Sequence, residues 1–199
     1  MQLFQAEMPG PTKDRLAPRI QDTARILWSV YVLFTLLEVL LLMFGGGDFF
    51  NALCHSFATL ATGGFSTHTS SIAFYDSVYV EVVVILFMFL AGINFALHFQ
   101  LLRGRILTFW GNEELRLYVA LIVLSTVAIM AANAFSGTIV SLGENFRQVL
   151  FQVVSVITTT GFGTADFNVW PPVTQVLLVA LMFVGGCAGS TGGGIKVVR

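Results

Sequence analysis

The sequence predicts an all-α integral membrane protein made of two tandem units, each a spanning helix, a short helix, a glycine-bearing loop and a second spanning helix. Three observations predict it. Apolar residues make up 56% of the 199 positions and charged residues only 11%, with a mean hydropathy of +0.83, whereas roughly a quarter of a soluble domain is charged. Apolar runs of spanning length, about 20 residues, recur along the chain. A polar, glycine-containing stretch occurs twice in matching surroundings, the mark of an internal repeat.

Taken in order, residues 1–25 form a polar arm of mixed charge with prolines at 9, 11 and 18. The arm lacks the apolar core of a signal peptide and is expected to be cytoplasmic. The first unit covers 26–105. Ile26 to Phe44 is a 19-residue run with one charge, Glu38; at 1.5 Å per residue it extends about 28 Å, enough to cross. Gly45-Gly46-Gly47-Asp48 stops it, and Asp48 is placed to cap a helix from Phe49 to Ala61 that is too short to cross. Thr62-Gly63-Gly64-Phe65-Ser66-Thr67 follows, and Tyr79 to Leu102 reads as one continuous span ending at Arg103-Gly104-Arg105.

The second unit covers 106–199. A hydrophilic link through Trp110, Glu113, Glu114 and Arg116 leads to Leu117–Phe135, 19 residues without charge. A short helix is expected near Phe146 to Thr158, then Thr159-Thr160-Gly161-Phe162-Gly163-Thr164, then an apolar segment from Val173. That segment is only 12 residues long, to Val184, before the run Gly185 to Gly194. Each glycine there disfavours helix by up to about 1 kcal/mol, so a broken helix is expected.

Shifting the sequence by 97 residues lays Ala61–Thr67 on Thr158–Thr164, with Thr62, Gly64, Phe65 and Thr67 meeting identical residues. Four identities in seven positions, inside matching hydropathy frames, identify the repeat. Basic residues set the orientation, because cytoplasmic flanks are enriched in Lys and Arg. Lys13, Arg15, Arg19, Arg25, Arg103, Arg105, Arg116, Lys196 and Arg199 fall on one side and only Arg147 on the other, with Asp48, Asp76, Glu144 and Asp166. The N-terminus is therefore expected in the cytoplasm, with both short helices entering from outside.

Non-helical backbone within a bilayer persists only where protein buries it or water lines it, so the two loops should face a cavity. Glycine at 63, 64, 161 and 163 opens backbone angles that let successive carbonyls turn inward, and rings of carbonyls replace a cation's hydration shell. A short helix descending from outside presents its partly negative C-terminus to the same place. A lone Thr-Gly stretch would read as a surface turn; two in register read as a path for cations.

Three stretches, Phe57 to His68, Gly92 to Phe99 and Gly185 to Lys196, closely resemble the TrkH potassium-uptake subunits of the Trk/Ktr/HKT superfamily. The resemblance covers the whole chain. It implies four M1-P-M2 repeats (span, pore helix, span) around one pore, of which this chain matches the second and third. It implies a selectivity filter for potassium at Thr62, Gly63, Gly64, Phe65, Thr159, Thr160, Gly161 and Phe162. It also implies an intramembrane gate at Gly189, Ser190, Thr191, Gly192, Gly193 and Gly194. Close helix packing through small residues is the alternative for that last stretch; a phosphate-binding loop lacks the required spacing. Further implications are a bacterial inner-membrane location, a lipid surround, a homodimer, and a cytosolic TrkA-like nucleotide-binding subunit contacting the arm or the Arg103–Arg116 link. No cofactor and no nucleic-acid partner are expected, and potassium is substrate. Because two of four repeats are absent, the sequence reads as a piece of a longer pore.

Glu38 and Glu81, in or near spans, are functional candidates by default, with Glu81 equally suited to the outer interface. His55 and His98 read as hydrogen-bonded packing residues, Asn94 as a cross-helix bond, and Cys54 and Cys187 as small packing residues. A secondary transporter with a broken-helix site is the rival, but it predicts inverted repeats. An intramembrane enzyme would need a catalytic constellation in facing spans, and none is evident.

Overall fold

A computed structural model describes residues 20–137 and 141–197. Most of the expected arm, with Lys13, Arg15 and Arg19, lies outside the described residues, as does Arg199. Among the described residues all regular structure is helical apart from an isolated parallel bridge between Val184 and Ile195.

The first unit opens with α1 (Ile20–Phe44), which includes the apolar span Ala24–Phe44. Asp48 then caps α2 (Phe49–Leu60) by accepting from the Asn51 N–H at 3.3 Å. The capping carboxylate at a helix start satisfies a donor that no preceding turn can reach. After a 3-10 turn at Ser71–Tyr75 come α3 (Val78–Ala91) and α4 (Phe95–Leu102). A short α5 (Ile106–Trp110) occupies part of the link expected to be irregular.

The second unit repeats the order. α6 (Glu113–Phe135) is the other helix long and apolar enough to cross on its own. It starts four residues before its apolar run because Asn112 caps it, accepting from the Leu115 N–H at 2.9 Å. α7 (Leu142–Ile157) likewise begins earlier than expected, since Ser141 accepts from the Glu144 N–H at 3.2 Å. α8 (Pro172–Met182) is short and apolar, and the chain then enters the glycine-rich loop, as the helix propensities predict.

One expected span is not continuous. Residues 78–102 are bent by 102° between α3 and α4, at Gly92-Ile93-Asn94. Asn94 does not bond across helices as anticipated. Its side chain accepts from the Ala96 N–H at 2.9 Å and so starts α4. The bend strands the last carbonyls of α3, and each finds a donor: Tyr118 Oη reaches Phe89 at 3.3 Å, His98 Nε2 reaches Leu90 at 2.8 Å, Thr191 Oγ1 reaches Ala91 at 3.2 Å, and the Cys187 N–H reaches Gly92 at 2.9 Å. Unpaired carbonyls in an apolar surround cost several kcal/mol each. The break is tolerated because the carbonyls of Phe89 to Gly92 each have a donor.

The two units meet along α3, which packs on α7. Their shared core includes Val83, Val84, Phe87, Met88 and Tyr118, the last fully buried beneath Gly92, where a side chain would collide with the phenol.

Candidate ion-path site

Each short helix ends in the same backbone device. Thr62 (φ 51°) and Gly64 (φ 65°) are left-handed, and so are Thr159 (φ 60°) and Gly161 (φ 86°), each pair 97 residues from its counterpart. A left-handed threonine is uncommon and strained, yet it occurs at the same place twice. The hydrogen bonds repeat as closely. The N–H of Thr62 donates to Thr59 O at 3.0 Å and that of Gly63 to Ala58 O at 2.8 Å; Thr159 donates to Val156 O at 3.0 Å and Thr160 to Ser155 O at 2.9 Å.

These bonds decide where the carbonyls go. In a planar trans peptide the C=O points opposite to the next residue's N–H. With the N–H groups of Gly63, Gly64, Thr160 and Gly161 turned back onto the helix ends, the carbonyls of Thr62, Gly63, Thr159 and Thr160 face away from them. Phe162 differs: its carbonyl accepts from Ser155 Oγ at 2.7 Å and so points at the helix. Its ring is wholly buried, 6.0 Å from the His55 ring of the other unit. The resemblance places Phe162 in the filter; here its carbonyl is taken by Ser155 and its ring by packing. Phe65, its counterpart, is 81% exposed.

The two loops touch. A methyl added at Gly64 would collide with the Thr160 carbonyl oxygen and lie 3.2 Å from the Gly161 carbonyl carbon. Farther out, the Ala73 N–H donates to Gly163 O at 3.2 Å and the Gly163 N–H to Ser71 Oγ at 3.3 Å. His55 is structural, as expected: Nδ1–H donates to Asn51 O at 2.7 Å, and Nε2 accepts from Ser66 Oγ at 2.9 Å.

The glycine-rich stretch lies against both loops. Thr62 Oγ1 donates to Thr191 O at 3.0 Å, and the Gly193 N–H donates to Thr159 Oγ1 at 2.7 Å. The same stretch spans the α3–α4 break, where the Phe95 N–H donates to Gly189 O at 3.1 Å. Gly189 (φ 74°) lies so close to the Asn94 amide that an added methyl would sit 2.8 Å from Oδ1. Two charges grip the stretch from other directions: Glu114 accepts from the Ala188 N–H, and Lys196 Nζ donates to Gly192 O. The sequence placed Glu114 and Lys196 only in links and flanks. No local pattern reveals bonds between residues 74 positions apart.

The chain is similar to a known family of membrane proteins. A family model described as TrkH, cation transport protein, matches residues 1–199. The potassium uptake protein TrkH of Escherichia coli K12 is 46% identical over 205 residues, covering 100% of this chain and 42% of that protein. TrkG of the same strain is 37% identical over 199 residues, 99% of this chain and 41% of the relative. The crystal structure of the potassium transporter TrkH from Vibrio parahaemolyticus superimposes with a TM-score of 0.87 at 38% identity, covering 92% of this chain and 40% of that one. The chain thus spans about two fifths of the length of the relatives it matches. It belongs to the TrkH family of cation transport proteins.

Proposed function

We propose that residues 26–105 and 106–199 are two M1-P-M2 units of a potassium-uptake pore, and that their loops form half of its selectivity filter. The observation that carries this reading is the duplicated left-handed Thr-x-Gly backbone, brought edge to edge at Gly64 and Thr160. Oxygens of Thr62, Gly63, Gly64, Thr159, Thr160 and Gly161 coordinate the dehydrated cation, while the buried Phe162 ring braces the second loop from behind. Each short helix aims its C-terminal dipole at the same point, favouring a cation there. Relatives named as Trk system potassium uptake proteins support potassium as the ion.

Gly189–Gly194 is the gate in this reading, held under the filter by Thr62 and Thr159. Arg25, Arg103, Arg105 and Arg116 mark the cytoplasmic side, opposite Asp48, Asp76, Glu144 and Asp166. The complete protein pairs as a homodimer in a bacterial inner membrane and answers to a cytosolic nucleotide-binding subunit. The test is rubidium uptake, with sodium as competitor, by cells expressing the full-length parent. Gly64→Ser forces a side chain against the Thr160 carbonyl and is expected to lower rubidium-over-sodium preference by about tenfold or more. Unchanged preference at normal membrane abundance would remove the filter assignment.

A further inference from the structure

Arg147 departs from the charge asymmetry of the rest of the sequence, as the basic residue on the acidic side, and the structure gives it a partner. Its Nη1 lies 3.4 Å from Glu81 Oε2, with the two side chains 27% and 10% exposed respectively. Glu81 is in the first turn of α3, in the first unit, and Arg147 is in the second turn of α7, in the second. Among the described residues the other ion pair, Arg25 with Asp22, is an exposed contact within α1. The ionic link between units is therefore Glu81–Arg147.

Its position bears on the loops. α7 carries residues 159–163 at its C-terminal end, so any shift or rotation of that helix moves them. On the side of its own unit, α7 is anchored by Asn145, whose Nδ2 donates to Met130 O at 3.2 Å and whose Oδ1 accepts from Asn133 Nδ2 at 3.4 Å. On the side of the neighbouring unit, the polar anchor is Glu81. Removing one member of so shielded a pair leaves the other buried without compensation, so the helix must shift to rehydrate it. At the loop there is no slack, since Gly64 already abuts the Thr160 carbonyl.

We infer that Glu81 and Arg147 are positioning residues for the second loop. Joined across the unit boundary, they hold α7 where the oxygens of Thr159–Gly161 meet those of Thr62–Gly64, and so set the preference for potassium over sodium. This rests on the filter reading above. The experiment measures rubidium uptake with sodium competition for the full-length parent and for Glu81→Gln, Arg147→Gln, Arg147→Lys and Glu81→Arg/Arg147→Glu, with Gly64→Ser in parallel. Membrane abundance and melting temperature are recorded for each.

The expected result is a roughly fivefold loss of rubidium preference in each neutral variant. Arg147→Lys should fall between Arg147→Gln and the parent, and the charge swap should recover most of the loss. A purely structural pair would lower abundance and melting temperature without moving the preference of the protein that does accumulate, and that outcome overturns the inference. If Gly64→Ser changes preference while the well-folded pair variants do not, the inference falls and the filter reading stands. If Gly64→Ser has no effect, the filter reading falls and takes the inference with it.

Discussion

At position 64 two constraints coincide, a left-handed backbone and a neighbouring carbonyl where a Cβ would go. Either alone would favour glycine; together they exclude a side chain unless the loop of the other unit moves. Gly161 has the same backbone but open space around it, so the cost of substitution there comes from conformation alone. Glu38 presents a different case, a carboxyl sealed inside the protein. It is fully buried in α1, with the Thr59 side chain of α2 the polar group nearest its carboxylate. An ionised group so placed costs several kcal/mol. Glu38→Gln is therefore expected to raise the melting temperature of the full-length protein by about 2–4 °C, corresponding to about 1 kcal/mol. A fall of similar size in a thermal melt would mean that the carboxyl makes a bond essential to the native packing. The sequence marked Glu38 as an intramembrane charge, but that it lies buried between helices is a matter of packing.

The element that most departs from its sequence pattern is the span over 78–102. Val78 to Leu102 is mostly apolar, interrupted only by Glu81, Asn94, His98 and Gln100, and hydropathy sees no reason for a bend. The bend depends on donors from far along the chain, Tyr118, Cys187 and Thr191, together with His98 from the helix beyond it. The sequence reads Asn94 as a cross-helix bond and not as a cap, and it gives no sign of the partners that make a break tolerable. The glycine-rich stretch thus serves two masters, bonded above to Thr62 and Thr159 and beside to the α3–α4 break. Its movement would release both at once. Deleting Gly192–Gly194 in the full-length parent removes the Gly193 donor and the Gly192 acceptor, and basal rubidium flux is expected to rise by about threefold or more. Flux at the parental level, with the protein present in the membrane, would deny the stretch a gating role.

At the scale of the molecule, Phe65 and Phe162 occupy matching positions in unlike surroundings. They are equivalent by sequence, yet Phe162 is sealed against His55 while Phe65 is 81% exposed. In the pore proposed above, each unit's phenylalanine packs behind the short helix of a neighbouring unit, as Phe162 does against His55 of the first. Phe65→Cys is accordingly expected to react with a small thiol reagent in this 199-residue chain and to be protected by about tenfold or more in the full-length parent. Equal reactivity in both would show that no further unit covers that face.

The sequence by itself determined the membrane class, the repeat and its offset, both short helices, the broken last segment and the paired glycines. All of these are written in local composition and spacing, and hydropathy and backbone freedom act over a few residues. The tertiary structure alone decided the bend at Gly92-Ile93-Asn94, the grip of Glu114 on the glycine-rich stretch, and the pairing of Glu81 with Arg147. Each depends on which distant group arrives to satisfy a buried polar atom. That demand is strict in a bilayer, but sequence distance carries no record of how it is met.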